Sequence, residues 1–600
     1  MRFSNFAFCA ALVLAVNVFA EPITVTVGNG RQTASNPNGY FMGWGVNAGG
    51  ISSKNYYNMA PQSKRDQWNN MFWRDTDMRH IRINAGNGTD VTTIYTADQL
   101  YSMYGTYIAD VEKSIGGKIT KIFDPHAGWK YFDLLGSWSP AMTDSLLRVY
   151  VAKNAAVMLD LKTKYNWDMS FVEITNEPQV YIDTTIPKNS PLYAWYNDSN
   201  RRKAVSMTKL WREELNARGL NHVKVIGPSK SGVAAAFDTL IINDFKRDSI
   251  GMSAWSGFSF HSYTSPLVKS VVTALGTIDV DIFQTESGQN PEQRGVANAI
   301  SDINLGTNYW QHFQAYSWSG ANDTVDKAGV RFAGIIYPAT DSVTVYPYLR
   351  FYYFRELMQA IPFHAKVYNT VANSTVWPAT LTAAVRSRYV NMEPVEKEQP
   401  PVNATAAELP DGRWNLIVFN PDSIPNTYNP YVPYRNTDFD VTFSVPKLKS
   451  MGTLRFTGTK VTKTKQKVNI GSFEMRDGTL TVTNVSDGDL VVLHSDAVVS
   501  DTLKFESAKA SIVIADTSMM YSVVGQEAHL SIALDSATNV HVALADCIGN
   551  ETGIVFDDML SAGRHVFRIP VSMNWKGSVY VRHLVNGSLK ARRVRTVCGM

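Results

Sequence analysis

Two glutamates in this sequence each close a short, mostly apolar run. Glu177 follows Phe171–Ile174 and precedes Pro178, which cannot donate a strand hydrogen bond, so strand pairing should stop there. Glu286 ends a second run, which begins at Val280. Two carboxyl groups across a cleft can cleave a glycosidic bond, because one protonates the leaving oxygen while the other attacks the anomeric carbon. A separation of about 5–5.5 Å gives retention, and roughly 6.5–9.5 Å gives inversion.

Such a pair needs a scaffold that brings strand ends together. Apolar runs alternate with helical periods up to about residue 362, which is typical of parallel strands. We predict strands at 41–47, 80–84, 119–123, 171–174, 223–228, 258–263, 280–286 and 314–318. We predict helices near 62–72, 143–165, 201–218 and 348–361. This order fits fold class α/β, a (β/α)8 TIM barrel over 21–362, whose strand C-termini line one open face. An open doubly wound sheet is the alternative, although no GxGxxG or Walker loop follows the first strand.

Beyond residue 362 the helical periodicity disappears. Short alternating runs separated by turn residues indicate antiparallel β-sandwiches. We predict one sandwich over 363–500 and a second over 501–600, with runs such as 414–419, 439–445, 490–493, 530–534, 565–569 and 579–584. Cys547 and Cys598 both lie in the second sandwich, but their spacing alone does not tell whether they pair.

The first twenty residues have the pattern of a secretory signal peptide. Arg2 precedes an apolar core at 6–18 and a small-residue cleavage site at 18–20. The apolar run is too short for a membrane span, so we expect a secreted, periplasmic or cell-surface protein. A formal charge of +4 over 600 residues indicates no nucleic-acid partner. Without a CxxC or His-rich run we expect no metal and no cofactor, and no signature of an oligomeric state is present.

The two glutamates and their surroundings resemble the clan A glycoside hydrolases, which are retaining enzymes on (β/α)8 barrels. The resemblance is carried by Asn176-Glu177-Pro178 after strand four and Thr285-Glu286 at the end of strand seven. It implies that Glu177 is the acid/base and Glu286 the nucleophile. Asn176 would hydrogen-bond the sugar 2-hydroxyl.

Four further positions match the same clan pattern. Arg82 after strand two would keep Glu286 charged. His261 and Tyr263 lie on strand six, and Tyr263 would donate to the nucleophile. Trp318 on strand eight would be the aromatic platform under the sugar. The partner implied is a polysaccharide or oligosaccharide substrate.

Other residues near strand ends are weaker candidates for the same cleft. His126 and Trp129 follow strand three, and Trp44 and Asn47 follow strand one; ordinary loop or core packing is the alternative for each. Glu173 lies in mid-strand, on the same face as Glu177 by strand alternation. We therefore predict that it sits deeper and pairs with a base such as Arg82.

Within the clan, the order of signal peptide, barrel and two sandwiches resembles family 86, the β-agarases and β-porphyranases. Xylanases and glucanases of families 30 and 39 share the two glutamates, but their sandwich usually takes strands from both ends of the chain. Since nearly all sandwich sequence here follows the barrel, we expect an endo-acting hydrolase of an agar-type galactan. A porphyran sulfate would meet a cation, for which Lys130, Lys230, Lys327 and Arg331 are candidates.

Two alternatives from other classes stay open. The barrel could be catalytically dead and the protein a carbohydrate-binding protein. The basic C-terminal stretch 590–595 resembles sorting domains of some bacterial secretion systems, although we favour a plain sandwich with a basic edge strand that discourages aggregation.

Overall fold

The structure is a computed structural model, and part of the chain is described. The described residues are 21–48, 56–90, 93–125, 144–177, 191–230, 232–233, 235–262, 266–276, 278–288, 292–319, 331–339, 342–373, 402–420, 438–464, 466–496, 519–524, 527–534, 538–545, 551–560, 563–570, 579–585 and 588–594. Among them no helix combines the length and the apolarity that crossing a membrane requires. The signal-peptide pattern and both mature cysteines lie outside the described residues.

The first part of the chain alternates strands and helices. Its elements in chain order are β1 (Glu21–Val27), β2 (Gly43–Asn47), α1 (Tyr56–Met59), α2 (Gln62–Asn69), a π-helical turn (Asn70–Arg74), β3 (Met78–Asn84), β4 (Gly86–Asp90), β5 (Thr93–Ile94), α3 (Ala97–Ile115), β6 (Thr120–Asp124), α4 (Asp144–Tyr165), β7 (Phe171–Glu173), α5 (Pro191–Ala217), β8 (Lys224–Lys230), α6 (Ala235–Arg247), α7 (Ser249–Ala254), β9 (Trp255–His261), α8 (Lys269–Leu275), β10 (Asp281–Glu286), α9 (Glu292–Asn304), β11 (Tyr309–His312), β12 (Gln314–Ser319), β13 (Arg331–Ala339), β14 (Ser342–Pro347) and α10 (Leu349–Ala360).

Eight parallel strands close into a barrel, which confirms the predicted (β/α)8 fold class. Around the ring they are β2, β3, β6, β7, β8, β9, β10 and β11, and β11 pairs with β2. The first seven predicted strands correspond to the first seven of these. The carboxyl ends of all eight strands therefore meet at one face.

The predicted eighth strand is wrong. The barrel closes through Tyr309–His312, and residues 314–319 form β12 in a separate three-stranded sheet with β13 and β14. Polar and apolar residues alternate more clearly over 314–318. However, it is Tyr309 and Trp310 that pair with Phe283 and Gln284 of β10 and so close the ring.

The lower half of the barrel interior is apolar. Its side chains come from five strands, and Phe283 stacks on Tyr309 with ring centroids 4.2 Å apart. The cluster consists of Ile122, Phe171, Ile226, Phe283 and Tyr309. Strand alternation makes Asp124 and Glu173 the next inward residues on β6 and β7. An apolar layer thus lies beneath a charged one.

The barrel continues into a sandwich of two sheets. Its further elements are β15 (Lys366–Tyr368), β16 (Thr370–Ala372), β17 (Asn403–Glu408), β18 (Trp414–Phe419), β19 (Phe439–Ser444), a 3-10 turn (Pro446–Met451), β20 (Leu454–Val461), β21 (Val468–Met475), β22 (Thr479–Val485) and β23 (Leu490–Ser495). One sheet has the order β16-β1-β19-β22, and the other β15-β17-β18-β23-β20-β21. Residues from both sheets share one core that includes Val25, Phe443, Trp414 and Phe456.

The sandwich corrects the predicted barrel boundary at residue 21. Strand β1 lies in the sandwich, antiparallel to β16 and parallel to β19, with Glu21 opposite Phe439. The chain then runs beside the end of the barrel domain, where the backbone N–H of Phe41 donates to Ala365 O and the N–H of His364 donates to Phe41 O. Both ends of the barrel are therefore tied to the same sandwich.

The C-terminal residues belong to a second compact unit. Its strands are β24 (Met519–Val524), β25 (Glu527–Leu534), β26 (Thr538–Ala545), β27 (Glu551–Leu560), β28 (Gly563–Pro570), β29 (Val579–Val585) and β30 (Ser588–Val594). They form two antiparallel sheets, β24-β25-β28 and β27-β26-β29-β30. The basic stretch predicted near the C-terminus supplies β30, an edge strand of the second sheet.

Candidate active site

The two predicted catalytic glutamates lie at the same face of the barrel. Glu286 ends β10, and Glu177 follows β7, three strands away around the ring. A carboxylate oxygen of each and a ring nitrogen of His261 all lie within 4.8 Å of one another. The two carboxyl groups are therefore close enough to act on the same glycosidic bond.

Glu177 is held by the neighbouring strand β8. Its backbone N–H donates to Ser229 O over 2.9 Å, and Thr175 Oγ1 donates to Pro228 O over 2.6 Å. Glu177 has a φ of 45°, in the left-handed region that side chains other than glycine rarely adopt. These contacts turn its side chain toward the cleft, where it is partly exposed.

Arg82 on β3 organises the charged layer. Its Nε donates to Glu173 Oε2 over 2.7 Å, one terminal nitrogen to Glu286 Oε2 over 2.6 Å, and the other to Asn176 Oδ1 over 2.7 Å. The second terminal nitrogen also lies 3.2 Å from Asp124 Oδ2. Burial alone would lower the pKa of Arg82, but the carboxylates of Asp124, Glu173 and Glu286 outweigh it and raise the pKa. The guanidinium is therefore a permanent positive charge beside Glu286, and the prediction that Glu173 pairs with Arg82 is confirmed.

His261 at the end of β9 lies between the two glutamates. Its Nδ1 is 2.8 Å from Glu177 Oε1, and its Nε2 is 4.0 Å from Glu286 Oε2. Burial lowers the pKa of His261 to about 4, so the ring is neutral at neutral pH. A neutral ring that donates from Nδ1 would fix one oxygen of Glu177 and leave the other facing the cleft.

A second buried histidine lies beneath this site. His80 contacts Gly43 O through Nε2 over 2.7 Å and Gln311 Nε2 through Nδ1 over 2.8 Å, which fits a neutral ring with its proton on Nε2. Burial lowers the pKa of His80 to about 4. Gly45 makes room for this ring, since a Cβ there would lie 2.2 Å from His80 Nδ1.

These two histidines should make stability depend on pH. In the unfolded chain each histidine binds a proton near pH 6.5, whereas in the folded protein it binds one only near pH 4. The stabilisation is therefore complete above pH 6.5 and is lost as the pH falls from 6.5 to about 4. Within this range each histidine should lower the free energy of unfolding by about 1.4 kcal/mol for each pH unit. Urea unfolding followed by tryptophan fluorescence at several pH values would measure this slope. His80→Gln should remove about half of the histidine contribution, whereas the exposed His222→Gln should keep the slope; equal slopes in all three proteins would contradict the prediction.

The structure brings five predicted site residues together: Arg82, Asn176, Glu177, His261 and Glu286. Asn47 ends β2 in register with Arg82 and is buried there. His126, Trp129 and Tyr263 lie outside the described residues, as do Lys130 and Lys327. Trp318 lies on β12 and Arg331 begins β13, so neither is on a barrel strand.

Two predicted cleft residues are corrected. Trp44 is fully buried; its ring packs against Trp310 and Phe354, and its Nε1 donates to Ile361 O over 2.7 Å. Strand alternation explains this, because Gly45 and Asn47 take the inward positions of β2. Lys230 is buried and bonds both oxygens of Asp238 at 2.9 Å, so it does not offer a free cation to a sulfate.

Sequence reasoning missed three buried members of the site. Asp124 ends β6, which is the same signal that identified Glu286, and it could have been found that way. Ser229 and Ser259 lie on β8 and β9 with hydroxyl oxygens 2.7 Å apart. No residue pattern distinguishes these serines from ordinary strand residues.

One group of side chains among the described residues has metal-ligand spacing, and it is Glu177, His261 and Glu286. The Arg82 guanidinium already contacts Glu286 Oε2 over 2.6 Å. A second cation at this point would meet like-charge repulsion in a buried setting. The geometry therefore suits proton transfer and nucleophilic attack better than metal binding.

Comparison with known proteins gives a likeness in fold. No family model matches the chain, and no curated protein matches it. SrfJ from Salmonella typhimurium has 10% identity and a TM-score of 0.50 over 79% of this chain and 92% of that chain. The catalytic domain of GH30 xylanase C from Talaromyces cellulolyticus has 11% identity and a TM-score of 0.49 over 79% and 100%. A GH30 endoxylanase from Clostridium papyrosolvens C71 has 12% identity and a TM-score of 0.45 over 80% and 100%. At 10% identity the likeness to the Salmonella structure concerns the fold alone.

Proposed function

We propose that this protein is a retaining glycoside hydrolase that cleaves a β-linked polysaccharide by double displacement. The observation that carries the proposal is the pair Glu177 and Glu286, with carboxylate oxygens within 4.8 Å of each other at the open face of the barrel. Arg82 contacts Glu286 and His261 contacts Glu177, so the two carboxyl groups have different surroundings. Different surroundings are what separate an acid from a nucleophile.

The first half of the reaction forms a covalent intermediate. The Glu286 carboxylate, which accepts a hydrogen bond from Arg82, attacks the anomeric carbon and forms a glycosyl ester. The glycosidic bond breaks with its electron pair on the leaving oxygen, and Glu177 gives that oxygen a proton. The Nδ1–H of His261 would hold one Glu177 oxygen while the other carries the proton.

The second half releases the sugar. Glu177, now a carboxylate, takes a proton from water, and the oxygen attacks the anomeric carbon. The ester bond to Glu286 breaks, which regenerates both starting states. Two inversions at one carbon give net retention of configuration.

The substrate we favour is a β-linked xylan or glucan. The agar-type assignment depended on a sandwich built from sequence after the barrel, and β1 removes that argument because it supplies a sandwich strand from before the barrel. Families 30 and 39, the other resemblance within the clan, take sandwich strands from both ends of the chain. The Lys230 pairing with Asp238 also removes one candidate for binding sulfate.

Product analysis tests reaction and substrate together. The purified protein would be incubated with xylan, mixed-linkage glucan, mannan, agarose and porphyran, and new reducing ends would be assigned by ¹H NMR within the first minutes. We expect hydrolysis of xylan or glucan with the β-anomer appearing first. An α-anomer appearing first would refute retention, and activity only on the galactans would restore the agar-type assignment. No hydrolysis of any of the five would favour the carbohydrate-binding alternative.

A further inference from the structure

Ser229 combines an unusual backbone with a buried side chain. It has a φ of 56°, in the left-handed region, and it is fully buried next to the end of β8. A non-glycine residue keeps this conformation only where its surroundings over-determine it, which happens most often at functional sites. Its carbonyl oxygen accepts a hydrogen bond from the Glu177 N–H, and the backbone of Glu177 is also in the left-handed region.

The hydroxyl of Ser229 is connected to the second catalytic glutamate, Glu286, through Glu173 and Arg82. Its Oγ donates to Glu173 Oε1 over 2.7 Å and lies 2.7 Å from Ser259 Oγ. The second oxygen of Glu173 accepts from Arg82 Nε over 2.7 Å, and Arg82 holds Glu286 over 2.6 Å. Three hydrogen bonds therefore join the Ser229 hydroxyl to Glu286, and the serine, Glu173 and Arg82 are all fully buried.

We propose that Ser229 is a positioning residue for both catalytic carboxyl groups, an inference that rests on the proposed function. Its carbonyl fixes the turn that presents Glu177. Its hydroxyl holds Glu173 in place. Glu173 in turn orients the guanidinium group of Arg82, whose two terminal nitrogens donate to Glu286 and Asn176. Ser229 itself does not need to touch the substrate.

Losing the hydroxyl should change the geometry of the charged layer. Glu173 Oε1 loses the donor that Ser229 Oγ provides, so the Glu173 carboxylate should be positioned less firmly. The Arg82 guanidinium, which contacts both Glu173 and Glu286, should then be positioned less firmly as well.

Ser229→Ala tests the proposal on the polysaccharide of the panel that the wild type hydrolyses fastest. We expect kcat to fall on the order of 10- to 100-fold with KM within about twofold, since the lost contact acts on the transition state. Active sites would be counted by titration with a 2-fluoro glycoside, so that only folded enzyme enters kcat.

Thr208→Val is the matched control. It removes another fully buried hydroxyl, which donates only within its own helix to Ala204 O over 2.8 Å. Its kcat and its KM should both stay within about twofold of the wild-type values. If Ser229→Ala behaves like this control, the proposal is overturned.

A second variant and a second measurement guard against misfolding and against a failed functional assignment. Ser229→Gly lacks the hydroxyl but adopts the left-handed conformation without strain, so it should reproduce the kinetic loss. Urea unfolding needs no substrate: Ser229→Ala should lower the urea midpoint more than Thr208→Val does, because it leaves buried Glu173 Oε1 without the donor from Ser229. A loss no larger than that of Thr208→Val would overturn the proposal even if the wild type hydrolyses nothing, an outcome that would separately refute the proposed function.

Discussion

Replacing Glu286 by glutamine should reduce the hydrolysis rate on the order of 10⁴-fold or more, which is what removal of a covalent nucleophile costs in other enzymes. The amide has nearly the same shape but cannot attack the anomeric carbon. Arg82 would still contact Glu173 and Asn176, so the fold should be retained. Initial rates of reducing-end release on the best polysaccharide of the panel would measure the loss.

Glu177→Gln should cost less, roughly 10²–10⁴-fold, because it removes acid/base assistance only. The two roles can be told apart with an aryl glycoside whose leaving group needs no proton. On that substrate Glu177→Gln should recover much of the bond-breaking step, whereas Glu286→Gln should not. Added azide should intercept the intermediate of a Glu177→Ala enzyme and yield the β-glycosyl azide.

Glu213→Gln is the matched control, since its side chain is 62% exposed on the surface. It should hydrolyse within about twofold of the wild-type rate. Wild-type rates in both Glu286→Gln and Glu177→Gln would end the catalytic assignment. Equal recovery of the two on the activated substrate would show that the acid and nucleophile roles are wrongly divided.

Arg82→Met should destabilise the barrel and remove most of the hydrolysis. Removing one partner of a buried ionic cluster leaves Asp124, Glu173 and Glu286 uncompensated, at a cost of about 3–5 kcal/mol near neutral pH. Urea unfolding followed by tryptophan fluorescence would measure this cost, and reducing-end release would measure the hydrolysis.

The control for Arg82 is Arg148→Met, which breaks an exposed pair with Glu213 of 3.1 Å. Exposed pairs contribute about 0–1 kcal/mol, so its urea midpoint should barely move. Arg82→Lys keeps the positive charge but lacks the planar guanidinium group that contacts several partners at once. Relative to Arg82→Met, it should recover part of the stability and a smaller part of the activity. A urea midpoint of Arg82→Met as high as that of Arg148→Met would contradict the charge argument.

Local patterns were enough to predict most of the barrel. Strands such as Asp281–Glu286 are apolar runs with a clear end, and the helix over Asp144–Tyr165 matches the predicted span closely. The eighth strand was predicted at the wrong place because Tyr309–His312 is only four residues long. It is recognisable as a strand only through its pairing with β10 and β2 in the ring. Strand β1 was assigned to the wrong domain because its parallel partner lies far away in sequence.

The site was predictable to the extent that residues end strands. Glu286 was found by this rule, and Asp124 obeys it as well, whereas Arg82 and His261 were assigned from the clan resemblance. The prediction that Trp44 lines the cleft was wrong because it relied on the aromatic residue type, whereas strand alternation on β2 directs Gly45 and Asn47 inward. Ser229 gave no signal because its role depends on a left-handed backbone and on partners from two other strands.

The pairing of β1 with β19 also sets an order of events for the growing chain. Phe439 follows Glu21 by 418 positions (439 minus 21), and β1 cannot find this partner until that sequence exists. At roughly 5–20 residues per second, the first strand waits about 20–80 seconds while the whole barrel is synthesised. The backbone N–H and C=O groups of an unpaired strand are open to wrong partners during that time. A barrel expressed without the sandwich would keep that exposure permanently, so we expect the barrel and the sandwich to fold as a single unit.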